Sequence, residues 1–93
     1  MTENNILMAT GRRKTSVAQV RLIPGEGKYT VNAKPADVFF GGHLSHKHVA
    51  FLPLSKSEQG KGFDVTAKVH GGGITGQAEA IRHGIARALA KIA

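Results

Sequence analysis

The sequence predicts an α+β domain, a small mixed sheet of about four strands with about three helices packed on it. Three observations carry that expectation. A length of 93 residues admits one domain, expected to span residues 1–93. The order of patterns runs from strands, through short helices, to a further strand and one long helix. A composition of 41% hydrophobic and 20% charged residues is that of a folded globule rather than a disordered tail.

Residues 6–10 (ILMAT) are apolar enough for a short strand, which Gly11, Arg12, Arg13 and Lys14 are expected to interrupt. From Ser16 to Leu22 the chain alternates, with Ala18, Val20 and Leu22 on one face and Val17, Gln19 and Arg21 on the other, the period of a half-buried strand. Pro24-Gly25-Glu26-Gly27 signals a turn. Lys28 to Val31 resumes as a strand, and the two segments together read as a hairpin.

Asn32-Ala33-Lys34-Pro35 turns again, and Pro35 can open a short helix over Ala36–Phe40 that Gly41-Gly42 ends. A second helix is predicted over Leu44–Leu52, stopped by Pro53, with Leu44, Val49 and Leu52 on one side. Residues 55–62 (SKSEQGKG) read as a loop. Phe63, Val65, Ala67 and Val69 alternate with Asp64, Thr66, Lys68 and His70, the cleanest strand pattern in the chain. After six residues that include four glycines, a helix is predicted from Gln77 to Ile92. Its buried face is Ala78, Ile81, Ile85, Ala88, Leu89 and Ile92, and Glu79 is spaced to pair with Arg82 and His83.

Thirteen Lys and Arg against six Asp and Glu leave a formal charge of +7, which attracts polyanions. The charge is spread, with seven basic and three acidic residues in 1–50 and six and three in 51–93, so neither half is a basic tail. Cysteine is absent, which removes disulfides, thiolate metal sites and a cysteine nucleophile and suits a reducing compartment. No apolar run is long enough for a membrane span, and MTENNILMATG does not read as a signal peptide. The five Phe and Tyr residues sit mostly among apolar neighbours, so phosphate and shape contacts with folded nucleic acid are expected rather than base stacking.

Gly71, Gly73 and Gly76 match G-x-G-x-x-G between a strand and a helix. The dinucleotide reading fails, because the seventeen residues after Gly76 are taken up by the helix and the expected acidic residue is missing. Two readings stand. Glycines and free N–H groups at a helix start suit a phosphate, with Arg82, His83 and Arg87 on the same helix, or the glycines merely make a tight strand-to-helix turn. Gly84 inside the helix serves close packing on the sheet or close approach of a partner.

Arg12, Arg13 and Lys14, followed by the hydroxyls of Thr15 and Ser16, can hold phosphate; the alternative is a solvated charge run guarding a sheet edge. The overall charge tilts this toward nucleic acid, with two basic surfaces, one here and one on the last helix. His43, His46 and His48 include an i, i+3 pair, but no carboxylate or cysteine is close in sequence to complete a metal site, and none is expected. No nucleophile–base–acid set and no Walker motif is present, and no cofactor is expected.

The segments GRRKTSVAQVRLIPGEGKYTVN (11–32) and GGGITGQAEAIRHGIARAL (71–89), with FDV at 63–65 leading into the glycines, resemble the family of the ninth protein of the small ribosomal subunit. The resemblance runs from about residue 9 to residue 90, and IRHGIARAL looks like the bacterial or organellar branch. It implies a left-handed βαβ crossover in a fold similar to a second domain of another small-subunit protein, a domain of elongation factor G and kinases of the homoserine-kinase type. It also implies a non-enzymatic, RNA-binding structural role in the head of a cytoplasmic or organellar small subunit, beside neighbouring head proteins. Carried over by motif, Arg12, Arg13, Lys14, Thr15, Gly72, Gly73, Gln77, Arg82, His83 and Arg87 become the expected ribosomal RNA contacts. Residues 33–61, with HLSHKH, are less typical of the family. Family members continue into a long basic C-terminal tail that reaches peptidyl-site transfer RNA. The sequence to Ala93 lacks that tail, so no residue here takes that role, whether through truncation or as a tail-less form. The alternatives are a phosphate- or nucleotide-binding enzyme fragment, with Asp64 and Glu79 as the acids nearest the glycine loop, and a module that binds only protein.

Overall fold

Alternation in two long strands builds the core. The computed structural model describes residues 6–56 and 62–91. Strands β1 (Leu7–Arg13), β2 (Ser16–Pro24), β3 (Tyr29–Val31) and β4 (Lys34–Pro35) precede helices α1 (Ala36–Phe40), α2 (Leu44–Ala50) and α3 (Leu52–Lys56). Strand β5 (Phe63–His70) and helix α4 (Ile74–Leu89) follow. The result is one open mixed sheet in the order β1-β2-β5-β3-β4. The expected α+β class stands, with five strands and four helices in place of about four and about three.

In the antiparallel register of β2 and β5, Ala18 faces Val69, Val20 faces Ala67 and Leu22 faces Val65. All six are buried, together with Ile81, Ile85, Ala88 and Leu89 from α4. Phe40 and Phe51 fill the end beside β3, where Tyr29 stacks on Phe51 with ring centroids 4.5 Å apart, and Leu54 of α3 is buried in the same core. Phe39 and Phe63 pack against the same core, which agrees with the reading of the aromatics as interior residues.

Several expectations need correction. The segment 11–13 does not interrupt the first strand but belongs to β1. Gly11 and Gly84 meet back to back there. A Cβ on Gly11 would lie 1.9 Å from the Ala80 carbonyl oxygen, and one on Gly84 would lie 2.6 Å from Val20 Cγ2. The two glycines therefore let α4 sit directly on the sheet, which decides the role of Gly84 in favour of packing.

The predicted hairpin of Ser16–Leu22 with Lys28–Val31 does not form. Strand β2 makes its hairpin with β1, and β5 lies between β2 and β3. The Gly25–Lys28 connection arches over the start of β5. The reason is backbone pairing, since β5 matches β2 over its whole length from Val17↔His70 to Pro24↔Phe63 and pairs in parallel with β3 on its other side. Asn32 extends that parallel pairing by giving a side-chain hydrogen bond to the Val69 carbonyl and accepting one from its N–H.

Pro53 does not stop a helix. The chain breaks at Phe51, and α3 begins at Leu52 with Pro53 in its first turn, where a missing N–H costs nothing. The buried residues are Ala50, Phe51 and Leu54, while Leu44 is 70% exposed, so the expected Leu44–Val49–Leu52 face is not the packed one. Finally, α4 begins three residues earlier than predicted, at Ile74, and Glu79 pairs with Arg13 rather than with its own helix. Ser55 and Lys56, expected in the 55–62 loop, belong to α3, while residues 57–61 and Ile92 lie outside the described residues.

Candidate nucleic-acid interface

The β1–β2 turn brings the basic cluster to the start of α4. Arg13 and Ser16 close a two-residue turn in which Lys14 takes φ 56°. Ser16 is buried, and its Oγ donates to the Gly71 carbonyl at 2.9 Å. Gln77 Nε2 donates to the same oxygen at 3.2 Å. One carbonyl thus ties the turn, the glycine loop and the helix together. Ser16 was legible only as a polar residue beside the cluster, and its place at the head of an inward-facing alternation was the signal for this role.

The glycines divide between two jobs. Gly71 (φ 81°) and Gly72 (φ 65°) adopt left-handed backbone, and Cβ atoms there would lie 2.2 Å from the Thr15 carbonyl oxygen and 2.3 Å from Ser16 Oγ. These two are required by the turn itself. Gly73 is extended and faces open space. It precedes α4, whose first turn has no capping side chain and no acidic residue. The N–H groups and dipole of that helix end favour an anion. His46 braces this corner through a hydrogen bond between Nε2 and Thr75 Oγ1 at 2.9 Å. Its ring lies 5.4 Å from that of His43, and no group of three metal-binding side chains occurs among the described residues.

Further along α4, Arg12, Arg13, Arg82 and His83 line an open groove of about 540 Å³ with Pro53, Glu79 and Ala86. Arg13 Nε donates to Glu79 Oε1 at 2.6 Å. At 55% and 29% side-chain exposure this ion pair positions the guanidinium more than it stabilises the fold. The two basic surfaces expected from the sequence are therefore neighbours on one surface.

Three basic-helix residues also have an internal task. The outward backbone groups of edge strand β1 are met in turn by α4 and, just past its end, by Lys91. The Arg12 N–H donates to His83 Nδ1 at 3.1 Å, Arg87 Nη1 donates to the Thr10 carbonyl at 3.2 Å, and Lys91 Nζ donates to the Met8 carbonyl. Four helical residues rise about 6 Å, close to the roughly 6.6 Å of two strand residues, so the two ladders keep step. The sequence signal for this was the 83/87/91 stripe. His83 and Arg87 thereby guard a sheet edge, the role weighed for the 12–14 cluster.

A second glycine-bearing turn, at 24–28, lies at the other end of β5. There Asp64 Oδ1 accepts the N–H groups of Glu26, Gly27 and Lys28, each at 2.9 Å. Hydrogen bonding from Lys28, partly opposed by desolvation, and then from Gly27 and Glu26 holds the Asp64 carboxyl below the usual carboxylate range.

The family described as ribosomal protein S9/S16 matches residues 11–93, which include both quoted motifs. The small ribosomal subunit protein uS9 of Gloeothece citriformis (strain PCC 7424) is 48% identical over 88 residues, covering 95% of this chain and 64% of that protein. The small ribosomal subunit protein uS9c of Cyanophora paradoxa is 47% identical over 90 residues, covering 97% of this chain and 67% of that protein. The chain thus spans about two thirds of the length of these curated relatives. With both motifs inside the match, and with identity near one half across nearly every residue, the chain belongs to the ribosomal protein S9/S16 family.

Proposed function

We propose that this chain is a structural component of the small ribosomal subunit that holds ribosomal RNA on the surface shared by the β1–β2 turn, the Gly73 end of α4 and the Arg12–Arg82 groove. The observation that carries the reading is the convergence of Arg12, Arg13, Arg82 and His83 on one groove along α4, a helix whose start is uncapped. Forked guanidinium donors and helix N–H groups suit phosphate oxygens. The expected contacts Lys14, Thr15, Gly72, Gly73 and Gln77 surround the same corner, and Arg87 lies one turn beyond it.

The role proposed is not catalytic. The two acids that an enzyme reading needs are engaged elsewhere, Glu79 with Arg13 and Asp64 with the 24–28 turn. Asp64 stands six strand residues from His70, roughly 20 Å from the glycine loop. Neighbouring proteins of the subunit head complete the proposed setting in a bacterial or organellar ribosome, in a single domain formed by residues 1–93. Contact with peptidyl-site transfer RNA enters the proposal only through the basic C-terminal tail that the resemblance implies.

Binding to refolded small-subunit ribosomal RNA, measured across a salt series, tests the proposal. Affinity is expected to fall steeply with salt. The triple variant Arg12→Gln/Arg13→Gln/Lys14→Gln is expected to reduce the log–log slope by about 2 to 3 while keeping the native circular dichroism spectrum. No binding at low salt overturns the RNA reading, and an unchanged slope removes the cluster from the interface.

A further inference from the structure

We propose that the face of the sheet opposite the helices is a second contact for RNA backbone, in which Arg21, Lys68 and His70 hold phosphates. The inference rests on the ribosomal RNA reading above and extends it to residues that reading does not use. The core residues of β1, β2 and β5 all face one way, and their alternates are exposed or half-buried. No described helix covers them.

The register places the charges. Arg21 lies opposite Thr66, Gln19 opposite Lys68, and Val17 opposite His70. Arg21 and Lys68 are diagonal neighbours, about 7 to 8 Å apart. Lys68 and His70 lie two residues apart on β5, about 7 Å. The three form a track across the face at intervals on the scale of successive phosphates along a strand. A depression of about 150 Å³ opens between Met8, Gln19, Arg21, Thr66 and Lys68, with the Thr66 hydroxyl and the Gln19 amide as neutral donors.

Charge complementarity selects the occupant. Neither Arg21 nor Lys68 has an ion-pair partner among the described residues. The acid of β5 on this face, Asp64, has its inner oxygen filled by three N–H groups. An RNA backbone supplies the missing negative charge at regular intervals. Strands β1, β2 and β5 present no Phe, Tyr or Trp on this face, which favours backbone over stacked bases. The face is also continuous with the groove, since Arg12 lies in the row of Val17 and His70 and lines the groove as well.

The test uses the full chain with refolded small-subunit ribosomal RNA. Arg21→Gln/Lys68→Gln is expected to lower the log–log salt slope by about 1.4 to 1.8, as two lost phosphate contacts require. Thr66→Glu, which sets a negative charge inside the track, is expected to weaken binding with an unchanged circular dichroism spectrum. The control Lys34→Gln/Lys56→Gln removes the same charge from β4 and α3. An unchanged slope for the Arg21/Lys68 variant, or an equal fall for the control, overturns the proposal. So does intact RNA binding accompanied by loss of an acidic protein partner. The groove variant separates the two readings: if it weakens binding while the sheet variants do not, the sheet proposal alone fails, and if the parent protein binds no RNA, both fail.

Discussion

Two glycine-bearing turns sit at opposite ends of β5 and use the same chemistry for opposite purposes. At 24–28 the backbone N–H groups of three successive residues converge on Asp64, and a Cβ at Gly25 would lie 2.3 Å from that carboxylate. The chain fills its own anion site. At 71–73 the first two glycines hold the backbone against Thr15 and Ser16, and the helix that follows begins with no carboxylate in its first turn. This second site faces outward, and the groove of Arg12, Arg13 and Arg82 follows further along the same helix. Glycine-rich, N–H-lined backbone is therefore not by itself a ligand site. What separates the two is whether a side chain of the same molecule reaches the N–H groups first.

The largest expected effect breaks the outward-facing loop from within. Gly71→Val places a branched side chain at φ 81° and against the Thr15 carbonyl, and should lower stability by about 3 kcal/mol in urea unfolding. A loss near zero would mean that the loop is not packed as described. Next comes the inward-facing turn. Asp64→Asn should lower the urea midpoint at neutral pH and leave the salt slope of RNA binding unchanged. A changed slope would bring Asp64 into the interface and erase the contrast.

The pH dependence follows the same carboxylate. Its folded pKa is depressed, so the unfolded chain binds the proton more readily. The stability it contributes is complete above the unfolded value and disappears as pH falls through the lower folded one. Stability should therefore drop below about pH 4 in the parent chain and drop less in Asp64→Asn. Equal acid sensitivity in the two would dissociate Asp64 from the effect. The smallest structural effect is expected at Gly73→Ala, where nothing lies within 4 Å of the added methyl. Stability should shift by less than about 1 kcal/mol, while RNA affinity falls severalfold, because the methyl enters the space a phosphate would use. Unaltered affinity would move the phosphate away from the helix start.

Much of the fold was legible where a local period decides. The strand at residues 63–70 is legible because eight alternating residues have one arrangement that buries Val65, Ala67 and Val69. The long helix was legible from Ala78, Ile81, Ile85, Ala88 and Leu89, all buried as expected. The false hairpin shows the boundary. Lys28–Val31 looked like the partner of the preceding strand because the turn between them is short, yet β5, more than thirty residues downstream, takes the place at β2's side. Gly11 looked like a break because glycine weakens a strand, whereas contact with Ala80 and Gly84 requires it.

The candidate site divides in the same way. The identities of Arg12, Arg13, Lys14, Arg82, His83 and Arg87, and the net charge of +7, are properties of the sequence, and they sufficed to point to a polyanion. That the two clusters adjoin, that Glu79 orients Arg13, and that His83 and Arg87 also close the β1 edge were decided by tertiary structure. The physical reason is range. Periodicity, turn chemistry and charge act between residues a few positions apart and are written along the chain. Strand order and long-range hydrogen bonds join residues as much as 83 positions apart, as for Lys91 and Met8, and are settled only when burial and backbone pairing are satisfied across the whole sheet at once.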